Sequence, residues 1–146
     1  TCMDIYTRQI IGWELSQKHD SNLVSNALIN AIYNTGFKLP KIIHSDQGSE
    51  YSSKDYIKFL NYLGTRISMS KKSSPWENAF QESFYSHFKV CLADPNRFND
   101  LGELLEEIAK SIYYYNHDRI HTSLKMSPTK FRLLRTKEYL FKEMGT

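Results

Sequence analysis

The period of the apolar positions changes several times along the chain, and each change predicts an element. β-Branched and aromatic residues crowd "TCMDIY" and "RQIIGWEL", which predicts two strands turned tightly at Thr7 and Arg8, a hairpin. From Asp20, a predicted N-cap, Leu23, Val24, Ala27, Leu28, Ala31 and Ile32 recur at helical spacing until Gly36 stops them. "KIIHS" is a short strand. "SSKDYIKFLNYLG" then offers a capping box of Ser52 and Asp55, an apolar stripe of Tyr56, Phe59, Leu60 and Leu63, and Gly64 as terminator. "TRISM" predicts one more strand. A helix from about Trp76 to Cys91, a longer one from about Phe98 to Asp118, and a basic helical tail after Pro128 complete the order.

Hairpin, helix, strand, helix, strand and helices make an α/β order with a mixed sheet. In such folds ligands gather outside the carboxyl ends of strands. Asp46, in "KIIHSDQGSEYSS", stands at such an end, where a turn-forming role and a chemical role are both open. The helix "WENAFQESFYSHFKVC" places Phe80, Phe84, Phe88 and Cys91 on one stripe, predicted to face the core. Asn78, Glu82, Ser86 and Lys89 fall on a different, polar face. Glu82 is therefore a second carboxylate aimed away from the core, behind a basic loop "SKKSSPW" of the kind that closes over a phosphate backbone. A solvated helix face is the ordinary alternative.

Composition narrows the classes. A chain of 146 residues, 40% hydrophobic and 14% aromatic, has enough apolar surface for one globular core. A net charge of +3 and a pI near 8.8 permit a nucleic-acid partner without requiring one. The distribution is uneven. Lys125, Lys130, Arg132, Arg135, Lys137 and Lys142 face one acid, Glu138, whereas Asp100 to Glu107 holds four acids and no base. Cys2 and Cys91 lack the spacing of a zinc motif or a disulfide framework, which suits a reducing cytoplasm. No apolar run approaches the ~20 residues that span a bilayer.

Three stretches, "HSDQGSEYSS", "SPWENAFQESF" and "YYNHDRIHTSLKMSPTKF", resemble in order the signatures of the integrase-core (DDE) transposases of bacterial insertion sequences, relatives of retroviral integrases. The 35 residues between Asp46 and Glu82 match the interval that names one branch of that family. Lys89 matches the basic residue seven after the glutamate. The resemblance implies an RNase H-like core over residues 1–122 with a basic tail over 123–146, cutting and joining DNA with two Mg²⁺ or Mn²⁺ ions. Asp46 and Glu82 would be catalytic and metal-binding. The family's opening strand, central in its sheet and bearing a first catalytic Asp, has no match here. Asp4 aligns with a noncatalytic position, so the resemblance implies an N-terminally truncated core with impaired strand transfer. The implied partners are transposon-end and target DNA and further copies of the chain, with no membrane. The implied location is the bacterial cytoplasm at the nucleoid. A noncatalytic DNA-binding or assembly fragment that regulates full-length transposase is the alternative function.

Lys71, Lys72 and Lys89 are the candidate phosphate contacts. Trp76 either stacks on a base or anchors its loop, the anchor being the favoured reading. Asn78 either touches the scissile phosphate or caps the helix. Arg119 and His121 belong to the "YYN, R, H" part of the resemblance and hold the tail or approach DNA. Tyr113 to Tyr115 are predicted to pack the last helix. His44, two residues before Asp46 on the same strand face, and Gly48 in the following turn are candidate site supports. His117 and His121, four apart, lack the other residues of a zinc motif.

Overall fold

The computed structural model describes residues 1–71 and 74–144. It forms two compact units, one of Thr1–Met3 with Ile10–Glu82, the other of Asp4–Gln9 with the chain from Ser83 onward.

In the first unit, β1 (Cys2–Met3) pairs antiparallel with β2 (Ile10–Gly12). β3 (Ile42–Ser45) pairs in parallel with β4 (Arg66–Met69), Ile42 opposite Arg66 and Ser45 opposite Met69. These are separate two-stranded sheets, so antiparallel and parallel pairing are not combined in one ladder among the described residues. α1 (Ser21–Asn34) packs on β1, β2 and α2 (Lys54–Tyr62), and α2 packs on β4. The core is Val24 and Leu28 of α1 with Tyr56 and Leu60 of α2, and Cys2, Ile43 and Ile67 reach it from three strands. Both apolar stripes read from the sequence are thus used. Asp20 caps α1 as predicted, its Oδ1 accepting from the backbone N–H groups of Asn22 and Leu23.

Several boundaries differ from the sequence reading. The hairpin strands are shorter because the Asp4 carboxylate takes the Tyr6 and Thr7 N–H groups and closes the turn early, with Arg8 at φ 63°. Asp4 is thereby a turn former. The predicted Ser52–Asp55 capping box is not formed. Ser53 is the N-cap of α2, accepting from Tyr56 N–H at 3.2 Å, while the Ser52 hydroxyl donates to the Gly48 carbonyl. The loop before α2 needs Ser52 for its own closure, so the cap falls to the next residue.

α3 (Ala79–Leu92) follows a 3₁₀ turn, Pro75–Asn78, and runs from the first unit into the second. Phe84 is buried as predicted, but Phe80 is 48% exposed, which breaks the proposed core stripe at its first position. α4 (Leu101–His117) begins three residues later than predicted. Its N-cap is Asp100, after a separate 3₁₀ turn at Pro95–Arg97. α5 (Pro128–Met144) is the predicted helical tail.

The second unit is built on aromatic contacts. Phe84 meets Tyr115 edge-on at 4.8 Å and stacks on Phe88 at 5.3 Å, and Ile108 and Ile112 are buried beside Tyr115 on α4. Tyr113 and Tyr114, expected to pack, are largely exposed, because only one of three successive helix positions can face a core. The hairpin tip belongs to this unit. Gln9 bonds Thr129 and Arg132, and Tyr6 rests on Phe131, which fastens the tip to the first turn of α5.

Candidate active site

β3 and β4 end side by side, so the residues that leave them start as neighbours. The ladder continues one step past the strands, where Ser70 N–H donates to the Ser45 carbonyl at 2.9 Å. Asp46 follows at once. Its Oδ1 accepts from Gly48 N–H at 2.9 Å, an Asx turn that fixes the exposed carboxylate just beyond the sheet. The turn-forming reading of Asp46 is thus met, and its carboxylate stays exposed.

The turn is built over a buried acid. Glu50 is 9% exposed and lies 3.4 Å from His19 Nε2. A Cβ on Gly48 would sit 2.8 Å from both Glu50 oxygens, so a side chain there would displace the Glu50 carboxylate.

Glu82 lies exposed in the first turn of α3. The segment that carries it and the segment that carries Asp46 both bond to Ser70, which is 4% exposed. Gln47 Nε2 donates to the Ser70 carbonyl at 3.2 Å, and Asn78 Nδ2 donates to the Ser70 hydroxyl at 3.1 Å. Gln47 is the neighbour of Asp46, and Asn78 stands one helical turn before Glu82. The two acid-bearing segments are thus tied to the same serine. Glu77 adds a second tie, accepting from Lys71 N–H at 2.8 Å. Replacing Ser70 by Ala leaves the Asn78 amide without its acceptor. We expect a loss of about 1 kcal/mol in stability and roughly fivefold weaker Mn²⁺ binding, read by paramagnetic titration.

Carboxylate oxygens are hard donors and suit Mg²⁺ or Mn²⁺, so Asp46 and Glu82 fit a divalent ion by donor type. By number the set is small. No group of three or more His, Cys, Asp or Glu side chains gathers around a common point among the described residues. His44 binds Ser68 Oγ on β4 at 2.9 Å, where it braces the strand pair. Lys71 and Trp76 are exposed, and at 70% exposure Trp76 does not anchor its loop in a core. The flanking Ser70, Glu77 and Asn78 bonds hold the loop instead, which leaves the indole free of that task. Lys72 lies outside the described residues.

In the second unit Lys89 is exposed and the Arg119 guanidinium lies 5.7 Å over the Tyr115 ring. Burial and that arginine act oppositely on the Tyr115 phenol, and burial wins, raising its pKa to about 12. His121 stands edge-on to Tyr115 at 4.8 Å, and its Nε2 is buried with no hydrogen-bond partner among the described residues. Desolvation, then Arg119, Arg8 and His87, lower its pKa. The folded chain thus protonates His121 at a lower pH than the unfolded chain, which takes up a proton near pH 6.5. Its contribution is therefore lost as the pH falls below about 6.5 toward the depressed folded value. His87, also lowered, adds in the same direction. The melting temperature should fall between pH 7 and pH 5.5, with a shallower slope in His121→Gln.

Sequence reasoning missed Ser70, Gln47 and Glu50. Ser70 follows the "TRISM" strand by one residue, and its only signal is polarity at a strand end. Glu50 sits in a turn-forming cluster that predicts exposure.

These features describe a mixed α/β core with an exposed carboxylate, Asp46, just beyond one end of a parallel strand pair. The chain belongs to the integrase core domain family, whose profiles match residues 1–75 and 63–128. It is 36% identical over 129 residues to the transposase for insertion sequence element IS904 of Lactococcus lactis subsp. lactis (strain IL1403), covering 88% of this chain and 51% of that protein. It is 30% identical over 131 residues to the putative transposase InsK for insertion sequence element IS150 of Escherichia coli (strain K12), covering 89% and 46%. The chain thus spans about half the length of the curated relatives it matches. Among solved structures, the HTLV-2 integrase catalytic core domain in complex with magnesium, in its trimeric form, has a TM-score of 0.67 at 17% identity, covering 88% of this chain and 80% of that one. That likeness shows the fold. No helix among the described residues is long and apolar enough to cross a membrane.

Proposed function

We propose that the chain is the catalytic core of a DNA transposase and performs divalent-metal-dependent DNA strand cleavage and strand transfer, with Asp46 and Glu82 as its metal-holding residues. The observation that carries this reading is the tie through Ser70, whose carbonyl holds the Asp46 turn through Gln47 and whose hydroxyl holds the start of the Glu82 helix through Asn78. When bound, Mg²⁺ or Mn²⁺ supplies charge neutralisation at the transferring phosphate. The protein's own task is positioning. Asn78 holds the start of α3, His44 braces the strands and Gly48 lets the Asp46 turn close over Glu50. Lys71, Lys72 and Trp76 supply phosphate and base contacts in the first unit. Lys89 and Arg119 supply them in the second, where His121 supports Tyr115.

A second reading is a noncatalytic DNA-binding or assembly module. The small donor set among the described residues favours it, since two carboxylates grip two doubly charged ions weakly. The relatives' names and the trimeric integrase support DNA and further copies of the chain as partners under both readings. Incubating the purified chain with labelled transposon-end DNA and Mn²⁺ separates them. Metal-dependent joining that a chelator abolishes supports the enzyme, and retention of the DNA without turnover supports the module.

A further inference from the structure

α4 buries one side and leaves an apolar ridge bare, α5 is exposed all round over residues 133–143, and the two helices carry opposite charge. On α5, Leu133, Leu134, Leu140 and Phe141 fall at i, i+1, i+7 and i+8, one stripe along a helix roughly 25 Å long. All four are exposed, Phe141 to 73%. Lys130 and Lys137 lie inside that stripe by the same arithmetic and are also exposed. On α4, Leu101, Leu105, Ala109 and Tyr113 form an exposed ridge at i, i+4, i+8 and i+12. The ridge borders an open groove of about 460 Å³ lined by Ala109, Lys110, Tyr113, Tyr114 and Asp118. Four acids, Asp100, Glu103, Glu106 and Glu107, crowd the first two turns of this helix.

We propose that α5 of one copy docks on the exposed ridge and groove of α4 of a second copy, and that the exchange is reciprocal. Cations inside an apolar stripe require anionic partners when the stripe is covered, and the apolar ridge of α4, with Glu106 beside it and three more acids in the N-cap and first two turns, offers both features. Other occupants satisfy only half of the pattern. A DNA backbone would neutralise Lys130 and Lys137 but leave Leu140 and Phe141 in water. An anionic membrane would suit α5 and do nothing for the acidic ridge. A second copy covers both faces at once, and a twofold arrangement repeats the contact, doubling the buried area and closing the assembly. Surface ion pairs such as Lys110–Glu106 at 2.7 Å do not oppose this, since exposed pairs of that kind are worth little and exchange readily.

Sedimentation velocity over a wide concentration range, at low and high salt, tests the contact. The chain should dimerise, more weakly at high salt. The chain carrying Lys130→Glu and Lys137→Glu should dimerise at least about tenfold more weakly, and so should the chain carrying Glu103→Lys and Glu106→Lys. An equimolar mixture of the two should recover dimers, because each reversed helix then meets its opposite. Recovery on mixing separates a lost contact from a lost fold. Leu140→Asp, which keeps the charge pattern of α4, should prevent dimerisation in the mixture. A monomeric wild-type chain, or a dimer indifferent to both reversals, overturns the proposal. So does binding to anionic vesicles that Leu140→Asp abolishes in a chain that never self-associates.

Discussion

Asp46→Asn and Glu82→Gln are each expected to weaken Mn²⁺ binding by at least about thirtyfold, roughly 2 kcal/mol, and the double variant is expected to be little worse than either. The substitutions are nearly isosteric and both side chains are exposed, so neither creates a cavity nor buries an unpaired group. In Asp46→Asn the amide oxygen still accepts from Gly48 N–H, so the turn survives while the charge is lost. The double variant decides the matter. If one ion is shared by both carboxylates, it is lost once, and the two effects overlap instead of adding. Two independent weak sites would give losses that sum, and that result would remove the basis for a common metal centre. Paramagnetic titration reads binding directly and does not depend on whether the chain turns over DNA.

The sequence made some of this arrangement legible and hid the rest for identifiable reasons. Long periodic segments were readable because burial imposes the period. The stripe of Val24, Leu28 and Ala31 and that of Tyr56 and Leu60 are the faces found in the core. The turn made by Asp46 was readable because an Asp between a short apolar strand and a Gly-Ser cluster is a recognisable local pattern. Failures came where two local options compete within a few residues. Ser52 and Ser53 are equally good caps, and only the Gly48 loop, which uses one hydroxyl, chooses between them. Phe80 and Phe84 share a helical stripe, yet the helix passes from one unit to the next between them, and only the second finds an aromatic core. Trp76 has the composition of an anchor, but its loop is held by polar bonds to Ser70 and Lys71. The tie at Ser70 is a contact between segments with no shared sequence period, so no pattern along the chain announces it.

Gly12→Ala is expected to be the most destabilising single-methyl change in the molecule, costing at least about 3 kcal/mol and lowering the melting temperature by roughly 10 °C. Gly12 lies in β2 opposite Cys2, directly beneath α1. A Cβ built there would sit 2.5 Å from the Ala31 backbone nitrogen and 2.6 Å from Ala31 Cβ, and closer still to the Ala27 carbonyl oxygen. Backbone atoms of a regular helix cannot rotate aside as a flexible side chain can. The helix must move off the strand instead. That displacement would draw Val24 and Leu28 away from Tyr56 and Leu60, so the methyl opens the very cluster that joins α1 to α2. Glycine within a strand often marks such an approach, and here the approach sets the depth of the whole helix layer. Ala31→Gly in the same chain should restore only part of the loss. It removes the Cβ contact but leaves the Ala27 oxygen and the Ala31 nitrogen in place, and it adds about 1 kcal/mol of helix penalty. Urea unfolding of the single and paired variants measures both effects, and a Gly12→Ala chain of unchanged stability would show that α1 does not rest on β2 at this distance.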